Sequence, residues 1–164
     1  MTVSADILES YAAPGRVMRR KLAEGPREDR ALATLMAALG LIFLGQWPGL
    51  IRATRLDPAV PFDARVGGAL MGLLFLAPLI AYGLAGLVRL VARMLGGQGT
   101  WFTARLALFW SLLAASPLML VQGLVAGLIG PGPVLSGLGL IVLVAFLWLF
   151  GGALRASEAE GAIA

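Results

Sequence analysis

Residues 106–154, LALFWSLLAASPLMLVQGLVAGLIGPGPVLSGLGLIVLVAFLWLFGGAL, form a stretch of 49 residues without a charged side chain. One helical crossing of a bilayer takes about 20 apolar residues at a rise of about 1.5 Å each, so the stretch is too long for one crossing and fits two. Near its middle, Gly130-Pro131-Gly132-Pro133 combines the two residue types that end helices and form turns. The stretch therefore predicts two membrane-spanning helices joined by a short turn.

Two shorter uncharged runs precede this stretch. Residues 31–51 contain 21 residues and residues 66–88 contain 23, so each run fits a single crossing. The composition agrees, because 59% of the 164 residues are hydrophobic and only 13% are charged, whereas a soluble domain is about 25% charged. The sequence predicts an all-α integral membrane protein with four transmembrane helices, at about 31–51, 65–92, 103–128 and 134–154.

The Lys and Arg residues are distributed unevenly along the predicted topology. Ten lie in the N-terminal segment 1–30, the second loop and the tail 155–164, whereas three lie in the first loop and none in the third. Because basic loops remain in the cytoplasm, we expect both termini to be cytoplasmic. Twelve of the thirteen basic residues are Arg, in a chain rich in Ala, Gly and Leu, which favours a bacterial inner membrane as the location.

Residues 1–30 have the pattern of short amphipathic helices. Apolar residues recur at helical spacing in the first part, and a second short pattern follows Pro14. The basic face of this second pattern consists of Arg16, Arg19, Arg20 and Lys21. We expect the segment to lie on the cytoplasmic leaflet, with the basic face docked on anionic lipid or on a partner. The alternative is a solvated helix packed on the cytoplasmic loops.

The sequence contains no Cys and no His, and its predicted spans hold no ionisable residue away from their end turns. The chain therefore lacks a thiolate nucleophile, the commonest metal ligand and the usual general base, and it lacks the buried charges typical of proton-coupled transporters. We expect no catalysis, no metal or cofactor site and no nucleic-acid binding. One alternative stays open: Gln122, Ser111 and Tyr82 would line a path for a small solute if they converged on one cavity.

Small residues and a proline within the spans predict where helices pack and bend. The pairs Gly68/Gly72 and Gly123/Gly127 have the four-residue spacing that allows membrane helices to approach closely. Pro117 removes a backbone donor from the third span and should kink it. The neighbouring hydroxyl of Ser116 can then hydrogen-bond the carbonyl that the proline leaves free.

The segment Gly96-Gly97-Gln98-Gly99-Thr100-Trp101-Phe102-Thr103-Ala104-Arg105, which leads to Ser116-Pro117, resembles bacterial members of the Yip family, the Ypt/Rab-interacting polytopic membrane proteins and their relatives. The order of a short amphipathic helix, a proline and a basic stretch before the first span is also similar. Through this resemblance, Gly96, Gly97 and Gly99 are expected to form a turn and Pro117 a kink. The resemblance implies an integral membrane protein with a role in membrane organisation, and it supplies no catalytic residues.

These observations lead to one principal functional hypothesis and two alternatives. The principal hypothesis is a non-enzymatic scaffold or interaction protein of the inner membrane, docked through its spans and its basic N-terminal face, with anionic lipids as partners. The first alternative is an accessory subunit of a larger membrane complex, or a homo-oligomer, which the small size and the near absence of soluble mass favour. The second alternative is a small-solute channel or permease.

Overall fold

The computed structural model describes residues 2–161, and it describes side chains through residue 159. This part of the chain forms seven α-helices and one π-helical turn. They are α1 (Val3–Ala12), α2 (Pro14–Leu22), α3 (Glu28–Leu56), α4 (Phe62–Met71), the π turn (Gly72–Leu76), α5 (Ala77–Met94), α6 (Trp101–Leu128) and α7 (Pro133–Gly161).

Four helices are long and apolar enough to cross a membrane. They are α3, the continuous helix Phe62–Met94 made of α4, the π turn and α5, and then α6 and α7. Each of the four predicted spans falls inside one of them, so the all-α architecture with four transmembrane helices is confirmed. The largest difference is at α7, which continues to Gly161 instead of ending near residue 154.

Three glycines form the turns that follow α2, α5 and α6. Gly25, Gly96 and Gly130 have φ angles of 84°, 84° and 87°. This left-handed conformation carries a steric cost for residues with a Cβ, and glycine adopts it freely at helix ends. The predicted turns at Gly96 and at Gly130 are therefore located where the backbone requires glycine.

Helix α6 lies at the centre of the bundle, with α3, α5 and α7 packed around it. In its most apolar window 44% of the residues are buried, against 22% in α3 and 11% in each of the other two spans. The buried side chains cluster in its first half, where Phe109 and Leu108 contact Leu35 and Leu39 of α3 and Ala85 of α5. The remaining spans consequently present most of their apolar surface outward, as expected for helices that face lipid.

A very close contact joins the backbones of α3 and α6. A Cβ on Gly123 would overlap the carbonyl oxygen of Gly45, and a Cβ on Gly127 would overlap Pro48. The predicted pair Gly123/Gly127 thus lies at a helix crossing that leaves no room for a methyl group. Small residues favour such crossings because membrane helices associate mainly through close van der Waals packing.

The other predicted pair, Gly68/Gly72, has no packing role within the described chain. A Cβ on either residue would meet no atom within 4 Å, and α4 contributes no buried residue. The expectation of helix packing at Gly68 and Gly72 is not met here because α4 lies at the periphery of the bundle, away from α6. These glycines instead form part of an open helix face.

Pro117 lies inside α6 and interrupts its hydrogen bonding without ending it. A proline at this position cannot donate to the carbonyl four residues earlier, which belongs to Leu113. The hydroxyl of Ser116 donates to that same carbonyl at 2.8 Å, and Ser116 is fully buried. The expected compensation is therefore present, and the helix continues for eleven residues beyond the proline.

Replacing Gly123 by Ala should destabilise the bundle by about 1–3 kcal/mol, the typical cost of overpacking, because the added methyl group would separate α3 from α6. Gly68→Ala is the matched control: its methyl group meets open space, and alanine gains up to about 1 kcal/mol over glycine in a helix. Unfolding of both variants in a mild detergent, followed by circular dichroism, measures the difference. Equal stability of the two variants would contradict the crossing.

Candidate functional site

The N-terminal helices α1 and α2 form a hairpin that turns at Ala13 and packs on α6 and α7. Val17 belongs to a buried cluster with Trp110 and Leu113, and both Val17 and Met18 are fully buried. The apolar face of α2, which the sequence analysis assigned to the lipid leaflet, is therefore covered by protein, whereas Leu8 of α1 is exposed. The expectation is corrected for α2 because this helix packs along α7 and its apolar side chains join the cluster of Trp110 and Leu113.

A cluster of charged side chains joins α1 to α2. Asp6 accepts hydrogen bonds from Arg20 Nη2 at 2.6 Å and from Lys21 Nζ at 3.1 Å, while Glu9 accepts one from the same Arg20 nitrogen at 3.0 Å. The Asp6 side chain is only 10% exposed. Because a buried carboxylate is costly unless it is paired and hydrogen-bonded, these contacts hold the two helices together as one unit.

Trp110 of α6 lies directly beneath this cluster. Its indole Nε1 donates to Ser10 Oγ at 2.9 Å, and the Ser10 hydroxyl donates to the Asp6 carbonyl at 2.7 Å. The Lys21 ammonium lies 3.7 Å from the centre of the Trp110 ring, within the range of a cation–π interaction. One aromatic residue of the bundle thereby contacts both helices of the hairpin.

The turn of the hairpin is fixed by hydrogen bonds to two spans. The Tyr11 hydroxyl donates to the carbonyl of Ala114 in α6 at 2.7 Å, and Trp148 Nε1 of α7 donates to the Tyr11 carbonyl at 3.1 Å. A Cβ on Gly152 would overlap Pro14, so α2 begins against the backbone of α7. Since Trp148 and Gly152 belong to the predicted span 134–154, the turn reaches the level at which that span ends.

The four basic residues of α2 divide into two pairs with different surroundings. Arg20 and Lys21 are held by Asp6 and Glu9, whereas Arg16 and Arg19 are exposed. The Arg16 side chain is 70% exposed, and its one ion pair with a described residue, Glu9, is long at 3.7 Å. Two of the four predicted docking residues are thus occupied within the chain, and two face outward.

The ion pairs also lower the pKa of Asp6. Burial raises the pKa of Asp6, but the hydrogen bond from Lys21 and the charges of Lys21 and Arg20 together lower it below its usual value of 3.8. A carboxyl group whose pKa is lower in the folded state contributes stability above its unfolded pKa and loses that contribution as the pH falls through the folded value. The hairpin should therefore remain docked at pH 5 and loosen below about pH 3.8.

The glycine turn between α5 and α6 holds a carboxylate from α7. Glu158 accepts a hydrogen bond from the backbone N–H of Gly99 at 2.7 Å and one from Arg89 Nη1 at 3.3 Å. A Cβ on Gly97 would overlap this carboxylate, and one on Gly99 would lie 2.5 Å from its Oε1 atom. The glycines of the turn are therefore needed for space as well as for backbone conformation, and the turn clamps the end of α7.

Sequence reasoning located the turn but missed its partner. Glu158 falls in the segment 155–164, which the sequence analysis treats as a tail, so no partner for Arg89 is expected there. The Arg89 side chain is instead only 10% exposed and lies against Glu158. Arg89 and Glu158 are 69 positions apart in the chain. No local sequence pattern links residues at that separation, so the pair is found only in the folded structure.

The three residues that were candidates for a solute path occupy separate places. Tyr82 packs edge-on against Phe109 with ring centres 5.1 Å apart, and the Ser111 hydroxyl donates to the carbonyl of Ala107 in its own helix. Gln122 lies 13 residues beyond Phe109 on α6, about 20 Å along the helix axis. It borders a cavity that neither Tyr82 nor Ser111 lines. The convergence that a channel or permease requires is not observed among these residues.

Comparison with known proteins adds one finding to this geometry. The family model described as the Yip1 domain matches residues 8–162, which include the second half of α1, all of α2 and all four spans. No curated protein and no solved structure matches the chain. The matched region thus contains the bundle and most of the hairpin that packs on it, but not Asp6.

Asp6→Asn should release the hairpin, because the neutral amide no longer balances the charges of Arg20 and Lys21. We expect hydrogen exchange across residues 3–22 to accelerate about tenfold or more, which corresponds to about 1.4 kcal/mol of lost protection. Asp29→Asn is the matched control, since Asp29 pairs with Arg27 on the exposed surface. If exchange is unchanged in Asp6→Asn, the ion cluster does not hold the hairpin.

Glu158→Gln should destabilise the chain by about 1.5–3 kcal/mol, the usual contribution of hydrogen bonds to a charged group, because Arg89 would lose its carboxylate partner. Glu28→Gln removes an equivalent ion pair, with Arg105, at a site where Glu28 is 55% exposed, and exposed pairs contribute about 0–1 kcal/mol. Chemical unfolding of both variants in detergent gives the two values. A cost for Glu158→Gln no larger than that for Glu28→Gln would rule out the clamp.

Proposed function

The chain belongs to the Yip1 domain family, and from this premise we propose that it is a non-enzymatic scaffold or interaction protein of the bacterial inner membrane. It is a multi-pass membrane protein with four transmembrane helices. In this proposal both termini face the cytoplasm, so that the hairpin lies on the cytoplasmic side. The uneven distribution of Lys and Arg supports this orientation.

The observation that carries the proposal is the exposure of Arg16 and Arg19 on a helix that is otherwise fixed to the bundle. Helix α2 begins against Gly152 of α7, near the end of the predicted fourth span. In this proposal the two guanidinium groups lie close to the level of the lipid headgroups. A basic residue near an anionic membrane surface contributes about 1 kcal/mol to binding, and both residues would act from a fixed position.

The mechanism requires the hairpin as a rigid unit. Arg20 and Lys21 bind Asp6 and Glu9, which keeps α1 beside α2. Leu8 of α1 is 73% exposed, so the hairpin carries an exposed apolar side chain as well as exposed basic ones. Exposed apolar and basic side chains on one membrane-facing element favour binding to the interface of an anionic leaflet. The hairpin would thereby organise lipid around the cytoplasmic end of the bundle.

Replacing Arg16 and Arg19 together by Gln should reduce the amount of phosphatidylglycerol that the full chain retains by about fivefold or more, since two lipid contacts are lost. The measurement is the molar ratio of phosphatidylglycerol to protein after purification from membranes in mild detergent. The stability of the variant should stay within about 0.5 kcal/mol of the parent, as for most exposed surface positions.

The matched control replaces Arg27 and Arg30 by Gln. This variant loses the same two charges, but Arg27 pairs with Asp29 and Arg30 pairs with Glu24. The proposal requires a larger loss of lipid from the α2 variant than from this control. An equal loss from both would reduce the effect to net charge, and no loss from either would refute lipid docking by α2.

A second candidate function is that of an accessory subunit of a larger complex, or of a homo-oligomer. The specific observation in its favour is the open face of α4, where Gly68 and Gly72 contact no other part of the described chain. Small residues at this spacing often mark contacts between membrane helices. A protein that co-purifies with the chain in a fixed ratio, and is lost on Gly68→Leu, would support this candidate over the first.

A further inference from the structure

A second group of arginines lies at the far end of the bundle, where α3 and α6 end and α4 and α7 begin. Asp57 and Arg65 form an ion pair at 2.9 Å there. Arg52 and Arg55, on the last turns of α3, form no ion pair and no hydrogen bond with the described side chains and backbone. This end therefore holds two cations without an ion pair, beside Asp57, which is already engaged by Arg65, and Asp63, which pairs with neither of them.

Both arginines border a cavity of about 420 Å³ between α3 and α6. Its wall is otherwise apolar, and it is formed by Pro48, Ile51, Leu56, Gly127 and Leu128. The cavity thus combines a positively charged part with a hydrocarbon-like part. That combination matches an amphiphile that carries an acidic head and an apolar chain.

The guanidinium of Arg52 is half-buried and incompletely satisfied. Its Nε atom is inaccessible to solvent and has no hydrogen-bond partner among the described residues. A Cβ on Gly130 would lie 2.5 Å from Arg52 Nη2, so the guanidinium packs directly on the glycine that follows α6. Arginine presents five N–H donors in a planar fork, and a buried donor without an acceptor is unfavourable. Because the Nε atom is closed to solvent, the donors that an acceptor in the cavity would bind are the Nη groups of Arg52 and Arg55, which form no hydrogen bond with the described residues.

The depth of the cavity points to the source of that acceptor. The uncharged run 31–51 of α3 ends at Arg52, which places the guanidinium at the boundary between hydrocarbon and headgroups. The C-terminal ends of α3 and α6 also favour cations nearby. The helix dipoles therefore account for arginines at this end, but they do not explain why two arginines without an ion pair line the same cavity. Arginine binds phosphate, as it binds carboxylate, through paired N–H donors, and phosphate is the group that lipid headgroups supply at this depth.

We propose that Arg52 and Arg55 bind the phosphate of a membrane phospholipid, with an acyl chain of the same lipid lying along Ile51 and Leu128. This site is separate from the basic surface of α2, because it lies at the opposite end of the four spans. It adds a defined lipid contact to the leaflet that the hairpin does not touch. Arg52 and Arg55 are three residues apart on α3 and are therefore neighbours on one face of the helix, so both can reach the same phosphate.

The test measures lipid binding by the purified full chain in native mass spectrometry. The variants are Arg52→Gln, Arg55→Gln and the double replacement, and the control is Arg65→Gln, which removes a third arginine of the same end that does not border the cavity. All are made in a background that carries Arg16→Gln and Arg19→Gln, so that α2 contributes no signal. The probes are phosphatidylglycerol, diacylglycerol with the same acyl chains, and inorganic phosphate.

We expect retention of phosphatidylglycerol to fall about fivefold for each cavity arginine replaced and to stay within about twofold for Arg65→Gln. Diacylglycerol should bind weakly and equally to all variants, because it lacks the phosphate. Arg55→Gln keeps the test decisive if Arg52→Gln fails to fold, since Arg55 is exposed and does not contact Gly130.

Two results would overturn the proposal. Equal retention of phosphatidylglycerol by the parent and by Arg55→Gln would show that the cavity does not bind lipid phosphate. Displacement of the lipid by millimolar inorganic phosphate would assign the site to a free anion instead. Either result leaves the proposal for the docking surface on α2 unaffected, because that proposal is tested with separate variants at the other end of the bundle.

Discussion

The backbone contact between Gly45 of α3 and Gly123 of α6 is the constraint on which the rest of the structure depends. It brings the two helices so close that no methyl group fits between them, and it leaves α6 as the axis around which α5 and α7 pack. The first half of α6 can then be lined by large side chains such as Phe109 and Trp110. The second half of α6 therefore packs closely on α3, and the large side chains of its first half form the surface on which the hairpin packs.

The sequence predicts the membrane topology well because bilayer thickness imposes a length on every span. The uncharged runs place all four spans, and the run 106–154 reveals its own turn through its glycines and prolines. Local chemistry is also readable, since Ser116 satisfies the carbonyl that Pro117 leaves free. These features share one property: each is determined by residues within a few positions of one another.

The remaining features depend on contacts that are distant in sequence. An amphipathic helix has the same pattern whether its apolar face meets lipid or protein, so α2 could be assigned to the leaflet although Val17 and Met18 are buried against the spans. The glycine pairs show the same ambiguity, because Gly68/Gly72 and Gly123/Gly127 are identical in spacing and differ only in what lies beside them. Lipid and neighbouring helices are equally apolar, so hydrophobicity cannot separate them.

The length of α7 follows from two contacts that the sequence pattern does not reveal. Charged residues beyond Leu154 suggest a tail, yet Gly15 of α2 packs near Ala156 and the glycine turn binds Glu158. Each contact stabilises a helical turn that would otherwise fray in water. The family match begins at residue 8, inside α1, and ends beyond Glu158, so it contains both contacts. The hairpin, the glycine turn and the end of α7 therefore form one structural unit, and the exposed Arg16 and Arg19 are presented by that unit as a whole.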